Sequence, residues 1–448
     1  MVSFWSSSSV TQTAARLEQL RVAETQLMHF AQRYSETACS IRAFDTAIPR
    51  SCIPSLQPNK QEGDELTIHA LHVHETANES NRNTNKSKYP LVALHGYYNG
   101  AAYYYRNLMG LASFYESVYS IDWLGWGLSS RPNYSYLKKK HSVESAEEWF
   151  VESLEAWRQA NRIDKMVLLG HSMGGYMSVA YCERYPQHVH QLLLLSPVGV
   201  PDAHDPSFLE RKERFTSTFR SRMFLGVVQT LFDWTTVGSV LRNYVSPERA
   251  YNMVNNYVER RLPQIEDREE RDAVTDYLYA NAVLPGSGEY AIHGILNHNI
   301  LAKRPLQERI PQLRVKDVTF LYGQHDWMDM SGALTTQRLC EKADDDDGGG
   351  DATTKKSTTG SPNIQVYMVP NAGHLLMLEN CRGTTAALIQ AGGGGGPANV
   401  ADAPVLIEPG TEALPDSQVR RVAMATHHHR QVYGSTQSSY PPPEVSME

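Results

Sequence analysis

Chemistry in this chain starts from a serine between two glycines. Gly170, Ser172 and Gly174 form a G-x-S-x-G sequence directly after the apolar run Met166–Leu169 and directly before a helical pattern. A strand that ends, turns sharply and enters a helix places such a serine at the tip of the turn. The two glycines let the crossing backbones approach where a Cβ would clash. The helix start beneath the serine favours negative charge. A serine hydroxyl is a weak nucleophile until a base takes its proton, and an acid must orient that base. Two further loops supply these groups. Val318–Tyr322 reads as a strand and leads to Gly323, Asp326 and Asp329; Ile364–Val369 reads as the last strand and leads to His374. The chain order is therefore serine, acid, histidine, each on a loop after a strand. Asp326 is the acid at the usual short reach from the strand. Asp329, one helical turn on, is the alternative, and the other aspartate caps the helix from Ser331. The strand Leu91–Leu94 runs into His95-Gly96-Tyr97, so the backbone N–H groups of Tyr97 and Met173 are the expected oxyanion donors.

Apolar strands alternate with amphipathic helices through this region, the signature of a mostly parallel sheet covered on both faces. Residues 65–73 alternate as a half-exposed strand, Ser117–Asp122 is another, and Leu192–Leu195 follows the serine helix. A helix from about Ser145 carries Phe150, Leu154 and Trp157 on one face, with Ser145 and Glu148 as a capping box. From about Val200 to Pro311 strand runs vanish. Helical segments such as Pro206–Phe219 and Pro247–Arg261 replace them, which predicts a helical cap inserted in the sheet domain. Its apolar clusters Met223–Leu225, Val227–Val228 and Leu231–Phe232 are candidate pocket walls. Arg211, Arg214, Arg220 and Arg222 are candidate phosphate contacts.

The expected division is an N-terminal segment over 1–60 with an amphipathic helix, a core over 61–200, the cap over 201–311, and a second core part over 312–390. Within the last, 342–362 is a disordered low-complexity insertion, and 391–448 is a disordered tail. At the N-terminus Leu17, Leu20, Ala23, Leu27 and Phe30 recur at helical spacing. A packed helix with some interfacial contact is favoured over a membrane-surface helix tipped by Phe4 and Trp5 and over a cleaved organellar address. Composition bounds the rest. With 448 residues, 41% apolar and a net charge of −7, the chain is globular and has no basic field for nucleic acid. Its five cysteines lack metal spacing and read as reduced intracellular thiols.

More specific stretches accompany these motifs: Asp122–Pro132 (DWLGWGLSSRP), Phe150–Trp157 (FVESLEAW), Asp164–His171 (DKMVLLGH), Ser196–Pro201 (SPVGVP), Ser287–Glu289 and Ala302–Leu306 (AKRPL). On them the chain resembles α/β-hydrolase-domain proteins 4 and 5 with their plant and fungal relatives. No cofactor is expected, because a serine, a histidine and an acid need none; the resemblance implies an α/β-hydrolase fold and chemistry on glycerophospholipids. It implies deacylation through an acyl-Ser172 intermediate, with lysophosphatidic acid acylation as a further activity. The family's acyltransferase signature is a histidine, four residues, then an aspartate. Here it reads His374 to Glu379, with glutamate in place of aspartate. The resemblance also implies peripheral contact with a membrane or lipid droplet, and a cytoplasmic or mitochondrial site. One animal member has asparagine in place of the serine and co-activates a lipase. A non-enzymatic lipase partner is therefore the alternative reading, and the presence of Ser172 argues against it.

Overall fold

A computed structural model of the chain describes residues 3–35, 38–54, 56, 63–76, 86–133, 142–202, 235–297, 301–346, 360–395 and 403–407. These build a nine-stranded sheet in the order β1-β2-β4-β3-β5-β6-β7-β8-β9. The strands are β1 (Cys39–Pro49), β2 (Glu65–Glu75), β3 (Leu91–Leu94), β4 (Val118–Ile121), β5 (Met166–His171), β6 (Val189–Leu195), β7 (Asp317–Gly323), β8 (Asn363–Val369) and β9 (Val405–Leu406). β3 to β8 pair in parallel, while β1, β2 and β9 join antiparallel at the two edges. Every residue of β3 and β5 is buried. That is why these strands read as unbroken apolar runs rather than as alternations.

Two edge strands correct the sequence reading. β1 lies inside the region assigned to an N-terminal segment, yet it pairs with β2 through eleven residues from Cys39↔Glu75 to Pro49↔Glu65. Its burial runs from half-buried to exposed along most of its length, so Arg42 and Asp45 interrupt the apolar pattern that marks a buried strand. β9 lies inside the expected disordered tail and closes the other edge through Tyr367↔Leu406 and Met368↔Val405. Two apolar residues are too short a period to read. The rest of the tail beyond 395, that is 396–402 and 408–448, lies outside the described residues.

The helices of seven residues or more among the described residues are α1 (Ser3–Ala31), α2 (Tyr105–Ala112), α3 (Val143–Ala160), α4 (Met173–Arg184), α5 (Val237–Asn243), α6 (Pro247–Arg261), α7 (Arg268–Val283), α8 (Ser331–Asp346) and α9 (Cys381–Ala391). α1 buries Leu20, Ala23, Leu27, Phe30 and Ala31 in the main core, so the N-terminal helix is packed on the domain. No helix among the described residues is long and apolar enough to cross a membrane. α3 starts three residues earlier than the capping box predicts. Ser142 is its N-cap and accepts from the Ser145 N–H at 3.2 Å, which makes Ser145 the third helical residue. α8 continues through Asp346, into the stretch expected to be disordered. The rest of that insertion, 347–359, lies outside the described residues.

α5, α6 and α7 form the described part of the cap. Helix Pro206–Phe219, the apolar clusters between Met223 and Phe232, and the four arginines Arg211, Arg214, Arg220 and Arg222 all fall in 203–234, outside the described residues. α7 is tied to the core by a buried ion pair, Arg106–Glu270 at 2.8 Å, whose carboxylate also accepts from Tyr105 and Tyr34. Arg131 ties the loop after β4 to the same helix, donating to the carbonyls of Gly125 and Pro285 and to Asn281 Oδ1.

Candidate active site

Ser172 sits between β5 and α4 with φ 53° and ψ −116°, a left-handed backbone that a serine adopts at a cost of ~1–3 kcal/mol. The glycines explain how the turn closes. A Cβ on Gly170 would lie 2.5 Å from the Gly174 carbonyl oxygen, and one on Gly174 would lie 2.5 Å from the Leu94 carbonyl oxygen. β3, β5 and α4 therefore cross at near contact, and the serine hydroxyl is pushed out at the carboxyl end of the sheet. α4 begins at Met173, whose N–H belongs to the first helical turn and has no intrahelical acceptor.

His374 Nε2 lies 3.2 Å from Ser172 Oγ, and His374 Nδ1 lies 3.2 Å from Asp326 Oδ1. The Asp326 side chain is 1% exposed. Its Oδ1 accepts from the Met328 N–H at 2.9 Å, and its Oδ2 accepts from the Ser196 hydroxyl. Asp329 is used elsewhere, and its Oδ1 accepts from the Ser331 N–H at 2.8 Å, at the start of α8. The loops bearing Asp326 and His374 are locked together. His325 N–H donates to the Ala372 carbonyl at 2.8 Å, and a Cβ on Gly323 would lie 2.2 Å from the Gly373 carbonyl oxygen.

Glu379 lies beside the histidine rather than in the cavity. Its carboxylate accepts from the N–H groups of Gly373 and Leu375, the two residues flanking His374, the second at 3.4 Å. Burial raises its pKa above the ordinary glutamate value. The glutamate that completes the acyltransferase-like spacing is thus a clamp on the His374 loop. Trp327 covers the other side, its ring centroid 5.1 Å from that of His374 and the residue 53% exposed.

Two buried histidines, to whose imidazoles the sequence assigns no role, complete the frame. His171 Nε2–H donates to the His374 carbonyl at 2.9 Å, and burial pushes its pKa well below the usual range, so the ring is neutral. His95 is fully buried and pushed down to about 4, also by burial. Its Nε2 accepts from the Trp123 N–H at 3.1 Å, which leaves Nδ1–H to donate to the Gly96 carbonyl at 2.8 Å. Asn99 N–H donates to that same carbonyl at 3.2 Å. Carbonyl and N–H of one peptide unit point in opposite directions. Pinning the Gly96 carbonyl therefore fixes the direction of the Tyr97 N–H. A Cβ on Gly96 would lie 3.0 Å from Ser172 Cβ, so this peptide borders Ser172. The motif His95-Gly96 is visible in the sequence; what its imidazole does depends on Trp123, which is distant in the chain.

A cavity of about 310 Å³ opens over Ser172 and His374. Its walls come from the cap: Val237 and Leu241 of α5, Met253 and Val254 of α6, Leu278 and Ala282 of α7. Tyr97, Tyr98 and Asn99 line it from the loop after β3. Away from this cavity, Glu24, His69 and Asp122 cluster closely enough to suit a cation. Both ring nitrogens of His69 are already engaged, with Asp45 Oδ1 at 2.6 Å and Glu24 Oε1 at 2.9 Å. Burial opposes the charge, but these two carboxylates prevail and push His69 up to about 10. The imidazolium itself is the cation there.

The sheet, its edge strands and the inserted cap define an α/β hydrolase. The model of the alpha/beta hydrolase fold family matches residues 89–380. The chain is 29% identical over 306 residues to a 1-acylglycerol-3-phosphate O-acyltransferase of Arabidopsis thaliana, covering 67% of this chain and 66% of that protein, just under two thirds of its length. It is 32% identical over 258 residues to the Rattus norvegicus 1-acylglycerol-3-phosphate O-acyltransferase ABHD5, covering 57% and 69%. It is 34% identical over 250 residues to a (lyso)-N-acylphosphatidylethanolamine lipase of Mus musculus, covering 55% and 68%. The chain belongs to the α/β-hydrolase fold family, in the branch of α/β-hydrolase-domain proteins 4 and 5.

Proposed function

We propose that this protein is a serine hydrolase that deacylates glycerophospholipids, with lysophospholipids included. The observation that carries the reading is the hydrogen-bonded series Ser172–His374–Asp326 at the floor of an apolar cavity. Ser172 Oγ attacks the ester carbonyl carbon while His374 Nε2 takes its proton. Asp326 holds the Nδ1–H tautomer and stabilises the imidazolium. The oxygen of the tetrahedral intermediate takes hydrogen bonds from the N–H groups of Tyr97 and Met173. Collapse breaks the bond to the glycerol oxygen, which leaves with the proton from His374. A water then gives its proton to His374 and attacks the acyl-Ser172 carbon; the bond to Ser172 Oγ breaks, Oγ takes the proton back from His374, and the fatty acid is released. The acyl chain lies against the cap side chains of α5, α6 and α7. Val237, Met253 and Tyr257 line the cavity and are also 61%, 52% and 40% exposed, which supports peripheral contact with a lipid surface at the cavity mouth.

The names of the plant and rat relatives favour a second outcome on the same intermediate. A lysophosphatidic acid hydroxyl can replace water and take the acyl group, again with His374 as base. The intact hydrogen-bonded series supports chemistry over a purely regulatory role as a lipase partner. A fluorophosphonate probe tests the nucleophile: mass spectrometry should find one adduct, on Ser172, and none in Ser172→Ala. An adduct elsewhere, or no adduct on folded protein, would refute the reading.

A further inference from the structure

The cavity walls are apolar, and its polar side chains can be accounted for one by one. Ser172 and His374 face each other. The Tyr97 hydroxyl donates to the Glu289 carbonyl at 3.2 Å, the Tyr98 hydroxyl is bound to the Gly238 N–H, and Tyr257 lies within electrostatic reach of Arg261 at the exposed mouth of the cavity. His171 spends Nε2–H on the His374 carbonyl. Its Nδ1 is sealed from the cavity, with Gly96 packed so close that a Cβ there would lie 2.9 Å away. Asn99 is different. Its backbone is pinned on both sides: the N–H donates to the Gly96 carbonyl at 3.2 Å, and the carbonyl accepts from Asn281 Nδ2 at 2.8 Å. The residue is only 8% exposed and lines the cavity. Yet its side-chain amide makes no hydrogen bond among the described residues, and neither amide atom is sealed in the core. It is a rigidly mounted donor and acceptor, three residues after the glycine that borders Ser172.

We propose that the Asn99 amide recognises the free glycerol hydroxyl next to the scissile ester of a monoacyl glycerophospholipid. The inference rests on the deacylase reading above and names the substrate within it. A hydroxyl both donates and accepts, so it satisfies both halves of the amide; a second ester carbonyl only accepts and leaves Oδ1 unpaired. A desolvated polar group without its partner is costly, and sites built around one reject ligands that lack it. The cavity volume points the same way. At about 310 Å³ it lies at the small end of ligand pockets and suits one acyl chain better than two.

The test uses the full chain with 1-oleoyl lysophospholipids bearing choline, ethanolamine or phosphate headgroups, each paired with its 2-deoxy analogue. The reading is the ratio of kcat/KM within a pair. Wild type should favour the hydroxyl lipid roughly ten- to hundredfold. Asn99→Leu should bring the ratio to within about threefold of unity, and Asn99→Ser, which keeps a donor and an acceptor, should restore part of it. The rate of fluorophosphonate labelling reports that Ser172 is still in place, and should Asn99→Leu fail to fold, the ratio in Asn99→Ser against wild type decides. A wild-type ratio near one, or a ratio that survives the substitutions, would overturn the role of Asn99 and leave the deacylase reading standing. Wild type that labels at Ser172 but cleaves no lipid of the panel would overturn both.

Discussion

Glu379→Gln separates two roles that the spacing from His374 cannot. The carboxylate accepts from the N–H groups of Gly373 and Leu375, so both peptides flanking the base hang on one side chain. A hydrogen bond to a charged acceptor is worth ~1.5–3 kcal/mol. Gln keeps one neutral acceptor and turns an NH₂ toward the other donor, so at least one such bond is lost. If most of that loss falls on the placement of His374, kcat drops about ten- to hundredfold, at about 1.4 kcal/mol per factor of ten. In the proposed mechanism hydrolysis and acyl transfer both use His374 as base, so both should fall by the same factor. Glu379→Asp keeps the charge on an arm one methylene shorter and should fall between wild type and Gln. The assay is fatty acid release and phosphatidic acid formation from one reaction mixture, with rates followed for each variant. Loss of acyl transfer with hydrolysis intact would refute the clamp and make Glu379 a group specific to transfer.

Other consequences follow from the same contacts. His95→Ala removes the shorter of the two hydrogen bonds on the Gly96 carbonyl and leaves only the Asn99 N–H to hold it, so under the proposed mechanism, in which the Tyr97 N–H meets the oxyanion, it should lower kcat up to about tenfold with little change in KM; a KM effect alone would contradict this. Gly174→Ala forces a Cβ to 2.5 Å from the Leu94 carbonyl oxygen, and should give a poorly folding or inactive protein by thermal melt and probe labelling. Arg106→Ala strands the buried Glu270 carboxylate and should cost about 3–5 kcal/mol in denaturant unfolding, whereas surface Arg268→Ala should cost less than about 1 kcal/mol. His69 titrates at about 10 in the folded protein, above the ordinary histidine value. Its contribution is therefore full below about pH 6.5 and fades as pH rises toward 10, and His69→Gln should flatten that part of a Tm-versus-pH curve.

Much of the site was legible because its chemistry is local. Gly170, Ser172 and Gly174 announce the turn, and the strands before Asp326 and His374 are mostly apolar, broken only by Thr319 and Gln365, as a sheet covered on both faces requires. What escaped the sequence depends on contacts between distant segments. Ser196 meets Asp326 across 130 residues, His171 meets His374 across 203, and Trp123 fixes the tautomer of His95 across 28. Asp326 and Asp329 have similar surroundings in sequence, and only the fold assigns one to the histidine and the other to the start of α8. β1 and β9 escaped because edge strands need no apolar period to pair.

The most direct measurement is fatty acid release from a panel of monoacyl and diacyl glycerophospholipids by wild type and Ser172→Ala, with lysophosphatidic acid present in half the reactions. With Ser172 as the nucleophile, wild type releases fatty acid, the variant releases none, and any phosphatidic acid forms at the expense of free fatty acid. Equal rates for the two proteins, or no turnover of any lipid by a wild type that folds, would contradict that role.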